Sequence, residues 1–116
     1  MGLFGFGRRK PANPGKFSFT IEDTFAMRAG GCVVAGQVTS GEVRKGEEVV
    51  CLPAQGGPFS CTIKEIEQPD PKSWKEYVHP DTAWADGPWE AHYSFLIPDR
   101  SKTDFHPGDR LISGNE

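Results

Sequence analysis

The stretch GCVVAGQVTSGEVRKGEEVV, residues 31–50, sets glycine at positions 31, 36, 41 and 46 with valines between. A phosphate cradle, a flexible linker and a chain of tight turns would each demand glycine for a different reason. A P-loop needs lysine and a hydroxyl residue directly after its second glycine. Here Gly41 is followed by Glu42 and Val43, and Gly46 by Glu47 and Glu48, whose carboxylates would repel phosphate. A linker fails for another reason. Val33, Val34, Val38, Val43, Val49 and Val50 are β-branched and stiff, which suits a strand and not a flexible spacer. Turns remain. Gly41 after Thr39-Ser40 and Gly46 after Arg44-Lys45 fall where a hairpin or bulge asks for positive φ. Gly31 and Gly36 fit a bulge or a close backbone approach in a bent strand.

Outward from this segment the period-2 pattern continues. FSFTIEDTF (17–25) alternates Phe17, Phe19 and Ile21 against Ser18, Thr20 and Glu22, the signature of a half-buried strand. EEVVCL (47–52), FSCTIKEI (59–66), AHYSFLI (91–97) and DRLIS (109–113) are further strands, and CVVAGQV (32–38) is the strand inside the opening stretch. Short strands with turns at regular intervals argue a small closed β-barrel or a sandwich. Residues 68–90 interrupt the pattern with Pro69, Pro71, Pro80 and Pro88, Trp74, Trp84 and Trp89, and Tyr77. They read as an insertion, with the option of a helical turn around SWKEYV capped by Ser73.

With 116 residues the chain is one domain, 17–116, preceded by a basic arm, 1–16. The arm carries Arg8, Arg9, Lys10 and Lys16 and no acid, whereas the rest has a net charge of −7. A body that acidic repels a phosphate backbone, so any nucleic-acid contact must be local. The arm reads as a flexible tail. A weak membrane-surface anchor through Leu3, Phe4 and Phe6 is the other reading of residues 1–10 and is not favoured. Cys32, Cys51 and Cys61 form an odd set without CxxC spacing or a secretory signal, which points to buried thiols in a reducing cytoplasm. His79, His92 and His106 lie 13 and 14 residues apart, without a metal-binding spacing. No GxSxG or catalytic cysteine context occurs. The expectation is a binding module without metal or cofactor, and not an enzyme.

The residues FxFxIEDTFxMxxGGxVVAGQVTSGEVRKGEEV, then CTIKEIE (61–67), AWADG (83–87), YSFLIPD (93–99) and FHPGDRLIS (105–113), resemble the second, β-barrel domain of elongation factor Tu and other translational GTPases. The resemblance covers about 17–113 and is closer in the first half. It implies a closed six-stranded antiparallel Greek-key barrel with a long Pro/Trp-rich insertion. The preceding residues are too few for the family's nucleotide-binding domain, so a stand-alone barrel is expected, with no bound nucleotide.

The resemblance also implies a site. Glu22, Asp23 and Phe25 match positions near the aminoacyl group of tRNA, and Glu65 a glutamate that meets the terminal adenosine. Gln68 stands where elongation factor Tu has an arginine, and the strand near Gly87 is rewritten as PWEAHY. Arg28, Arg44 and Lys45 are the basic candidates for RNA contact. Trp74, Tyr77, Trp84 and Trp89 are candidates for a protein or ribonucleoprotein interface, because aromatic side chains dominate such contacts; the alternative is a lid folded over one barrel end. The expected function is binding of a protein or ribonucleoprotein partner, with RNA or aminoacyl-tRNA end binding as the second reading.

Overall fold

The computed structural model describes residues 16–114 of the chain. Alternation becomes strand as the sequence predicts: β1 (Ser18–Ala26), β2 (Cys32–Ser40), β4 (Glu48–Leu52), β9 (His92–Ile97) and β10 (Arg110–Ser113). Between them lie β3 (Glu42–Arg44), β5 (Phe59–Thr62), β6 (Glu65–Asp70), β7 (Ser73–Val78) and β8 (Thr82–Trp84). Eight strands form one antiparallel sheet in the order β5-β4-β10-β1-β2-β9-β6-β7, and β3 pairs with β8 as a separate two-stranded ribbon.

This architecture corrects the expected closed six-stranded barrel: the sheet has eight strands and its ladder stays open, with β5 and β7 at its edges. Two local causes account for the difference. The run read as one strand at 59–66 changes partner in its middle. Its first half pairs with β4 and its second with β9. At the crossing, Ile63 N–H donates to Glu47 O at 3.0 Å and Lys64 N–H to Leu96 O at 2.8 Å. One run of chain thus serves both ends of a curled sheet, with no ladder joining the edges. The second cause is SWKEYV, which is the strand β7 and not a helical turn. Asp70 Oδ1 accepts from Lys72 N–H at 2.9 Å and closes a tight turn, so Gln68 pairs with Val78 and Pro69 with Tyr77. The insertion begins as a hairpin extension of the sheet, and its β8 then pairs with β3 in the separate ribbon.

The inward residues of the alternation make the core. Phe19 and Phe95 meet with ring centroids 4.4 Å apart, and Ile21, Val34, Ile66 and Leu111 are fully buried around them. The three cysteines are free and buried; burial pushes their thiols up to about 11 at Cys32 and about 12 at Cys51 and Cys61. They are apolar filler, not nucleophiles. The free edge of β5 is covered by side chains: Asp99 accepts from Thr62 N–H at 3.2 Å, and Arg100 donates to Ser60 O at 3.1 Å while lying over the Phe59 ring. No helix among the described residues is long and apolar enough to cross a membrane.

Two of the four glycines carry the geometry most plainly. Gly41 has a φ of 67° and ends β2 against the start of β1. Gly36 faces Thr20, whose carbonyl oxygen would lie 1.9 Å from any Cβ at this position. Backbone cannot swing aside as a side chain can. Gly36→Ala is therefore expected to cost about 3 kcal/mol. Gly57, in open space, should accept alanine within about 0.5 kcal/mol. Denaturant unfolding of the two variants against the parent chain checks this; equal stabilities would contradict the close approach.

Candidate functional site

The outward residues of the alternation build the site. β1 pairs with β2 as Phe25↔Val33, Asp23↔Ala35 and Thr20↔Gln37. β2 pairs with β9 as Val33↔Leu96, Ala35↔Ser94 and Gln37↔His92. β6 adds Glu65 opposite Leu96 and Glu67 opposite Ser94. Because directly opposed side chains share a face, one row runs Phe25, Val33, Leu96, Glu65. The next runs Asp23, Ala35, Ser94, Glu67.

The register slips between Ile21 and Asp23, so Glu22 has no opposing residue on β2. Such a bulge re-aims a side chain. Glu22 reaches across the sheet to His92, Oε2 to Nε2, at 3.2 Å. A depression of about 380 Å³ is bordered by Met27, Val33, Leu96, Ser94, Glu65, Glu67 and His79. His79 Nε2 lies 3.4 Å from Glu67 Oε2.

Next to the depression the chain makes a left-handed turn at Pro88–Ala91, with φ of 59°, 54° and 59° at Trp89, Glu90 and Ala91. Each such residue costs roughly 1–2 kcal/mol, and the surroundings hold the turn in place. Buried Gln68 donates its Nε2 to Pro88 O at 2.9 Å and to His92 O at 3.0 Å. Gln37 Nε2 donates to Glu90 O at 2.9 Å, and the Trp89 indole N–H to Pro69 O at 2.7 Å. His92 Nδ1 sits 2.9 Å from Trp89 O. Gln68 thus serves inside the sheet as an anchor for the turn.

The structure gathers Glu22, Asp23, Phe25 and Glu65 onto this face. Tyr77 joins it through its pairing with Pro69, and Trp89 through its bond to the same proline. Arg28 is exposed in the turn after β1, next to Met27 in the chain. Arg44, Lys45 and Trp84 do not join: they belong to the β3–β8 ribbon and the turn beside it, where Lys45 pairs with Asp81 at 3.4 Å. Trp74 lies in β7. The basic triplet 8–10 and the membrane reading of residues 1–10 fall outside the described residues. Sequence reasoning missed His92, His79 and Glu67 as site residues. The alternation of β9 does put His92, Ser94 and Leu96 on one face, but the bulge that brings Glu22 to His92 leaves no sequence signal.

Translation elongation factor SelB from Methanococcus maripaludis, in its apo form, shares this arrangement: TM-score 0.66, 23% identity, 87% of this chain and 19% of that one. The chain has the fold of a domain of the translational GTPases. A bacterial selenocysteine-specific elongation factor, EF-Sec, matches with a TM-score of 0.66 and 18% identity over 91% of this chain and 16% of its own. The chain thus spans less than a fifth of either elongation factor. No protein-family model and no curated protein sequence matches it. The outer face of β1, β2, β9 and β6 carries the depression together with carboxylates and exposed aromatic rings.

The His92 ring is held above its ordinary 6.5 chiefly by the Trp89 carbonyl; burial opposes this, and the Glu22 carboxylate and then Glu90 add to the rise. A raised folded value means that the imidazolium contribution to stability is complete below about 6.5 and is lost as pH rises through the folded midpoint. The C2 proton resonance of His92 should therefore titrate above 6.5, and in Glu22→Gln at a lower pH than in the parent. Exchange of the Ala91 amide, which donates to Gly87 O in the turn, should quicken over the same interval. A midpoint at or below 6.5 would contradict the clamp.

Proposed function

We propose that the chain is a non-catalytic, cytoplasmic binding module of the translation-factor type, and that its outer face engages a protein or ribonucleoprotein partner. One observation carries the reading. Asp23, Phe25 and Glu65 share the outer face by register, Glu22 reaches it across the bulge, and Tyr77 and Trp89 meet the same face at Pro69, with Glu65 also bordering the depression. Phe25, Met27, Tyr77 and Trp89 are 49%, 41%, 58% and 43% exposed. Large apolar side chains grouped on one face mark contact surfaces more often than isolated ones do. The sheet beneath is curled in the manner of the elongation-factor domain, with the run 59–70 bridging its two ends.

Glu65 favours one second reading, in which the depression receives the end of an aminoacylated RNA, as the family resemblance implies. Its carboxylate borders the cavity together with Ser94, a hydroxyl, above an apolar floor. That combination suits a ribose or an amino group but offers nothing to a phosphate. Such binding would be weak and, without phosphate contacts, would depend little on salt.

The test separates the face from the ribbon. Joint replacement of Phe25, Tyr77 and Trp89 by alanine should reduce co-sedimentation with ribosomal subunits, or retention by an identified protein partner, by roughly tenfold or more. Arg44→Ala with Lys45→Ala should leave both unchanged. The opposite pattern would overturn the proposal. Labelled aminoacyl-tRNA titrated against Glu65→Gln and the parent chain checks the second reading: equal binding by the two removes it.

A further inference from the structure

We infer that the occupant of the outer face is a basic peptide segment: an extended stretch of a partner protein whose lysine or arginine side chains lie along the Val33–Leu96 floor with their charged ends among Glu65, Glu67 and Asp23. The inference rests on reading this face as the binding surface and adds the chemistry of the partner.

Charge comes first. Glu22, Asp23, Glu65 and Glu67 all belong to this face. Glu22 and Glu67 have histidine partners, at 3.2 and 3.4 Å. Asp23 and Glu65 have no ion pair among the described residues; Asp23 Oδ1 only accepts the next backbone N–H, that of Thr24. The body to which the face belongs has a net charge of −7 over residues 17–116. A phosphate backbone or an acidic peptide would meet repulsion here, and so would a second acidic body.

The floor supplies the second argument. Val33, Met27 and Leu96 border the depression beside the short side chain of Ser94. Lysine and arginine bury an aliphatic stem on such a surface while holding the charge at its rim. The rim provides the third. Phe25 and Trp89 are exposed aromatic residues, and a cation over either ring would gain roughly two- to fivefold in affinity at an exposed site. Few ligand types suit an apolar stem, a charged end and an aromatic neighbour together. A basic side chain does.

Three fluorescein-labelled probes distinguish the cases: a peptide of alternating lysine and glycine, a glutamate–glycine peptide of equal length, and a single-stranded RNA. Each is titrated by anisotropy against the full chain at low and moderate salt. Amide shifts of Val33, Ser94 and Leu96 report whether the face is touched. The lysine peptide should bind, shift those amides and weaken with salt. Joint Glu65→Gln and Glu67→Gln should weaken it roughly tenfold, and Glu47→Gln, beyond the face, should not. The double variant should melt with the parent chain, and Phe25→Ala offers an independent check should it not. Lysine-peptide binding that ignores both face variants overturns the inference. RNA binding at the face without peptide binding overturns it too, while the face remains the site. Amide shifts confined to the β3–β8 ribbon would overturn both the inference and the outer-face reading.

Discussion

β1 and β2 run so close that the carbonyl of Thr20 occupies the space a side chain would need at position 36. The rest of the sheet depends on that approach. It lets the two long strands stay paired through a bend, and the bend curls the sheet around Phe19, Phe95 and Leu111. One residue further along β1, the ladder slips by one position. Close approach and slip are neighbouring features of one bent ladder, since an extra residue on one strand bends it and increases its local twist. The core and the candidate site thus share an origin.

The slip alters what the outer face can do. In regular pairing a residue beside buried Ile21 lies opposite a β2 residue. Freed from that, Glu22 meets His92 instead and closes a chain of bonds from β1 through the imidazole to the left-handed turn. The turn is costly for non-glycine residues, and it is held by groups that are themselves fixed: buried Gln68, Gln37 on β2 and Pro69 on β6. Its effect is to set Trp89 beside the hairpin that carries Tyr77. Strained backbone of this kind persists only where the surrounding structure over-determines it.

Charge is arranged as unevenly as shape. Lys45 is paired with Asp81 near the ribbon, and Arg100 lies over Phe59 at the covered edge of β5. The outer face is left with carboxylates and two histidines. An open sheet has two edges to manage. Here Asp99 and Arg100 occupy one with side-chain hydrogen bonds, while the other is β7, beside the aromatic side of the site.

The sequence by itself determined the strands and the inside of the sheet. Alternation of Phe17, Phe19 and Ile21, and of Tyr93, Phe95 and Ile97, is a local property of the chain, because successive side chains in a strand must point to opposite faces. The turn glycines were legible for the same reason: Gly41 answers a conformational demand within its own few residues. The resemblance also grouped Glu22, Asp23, Phe25 and Glu65; the register puts Asp23, Phe25 and Glu65 on the outer face, and Glu22 reaches it across the bulge. Tertiary structure decided the remainder. The change of partner at Ile63 and Lys64, the strand conformation of SWKEYV, the slip that frees Glu22, and the meeting of Glu67 with His79 all depend on which strands become neighbours. Hydrogen bonds between distant segments settle those matters, and residues so far apart along the chain carry no local mark of the pairing that joins them.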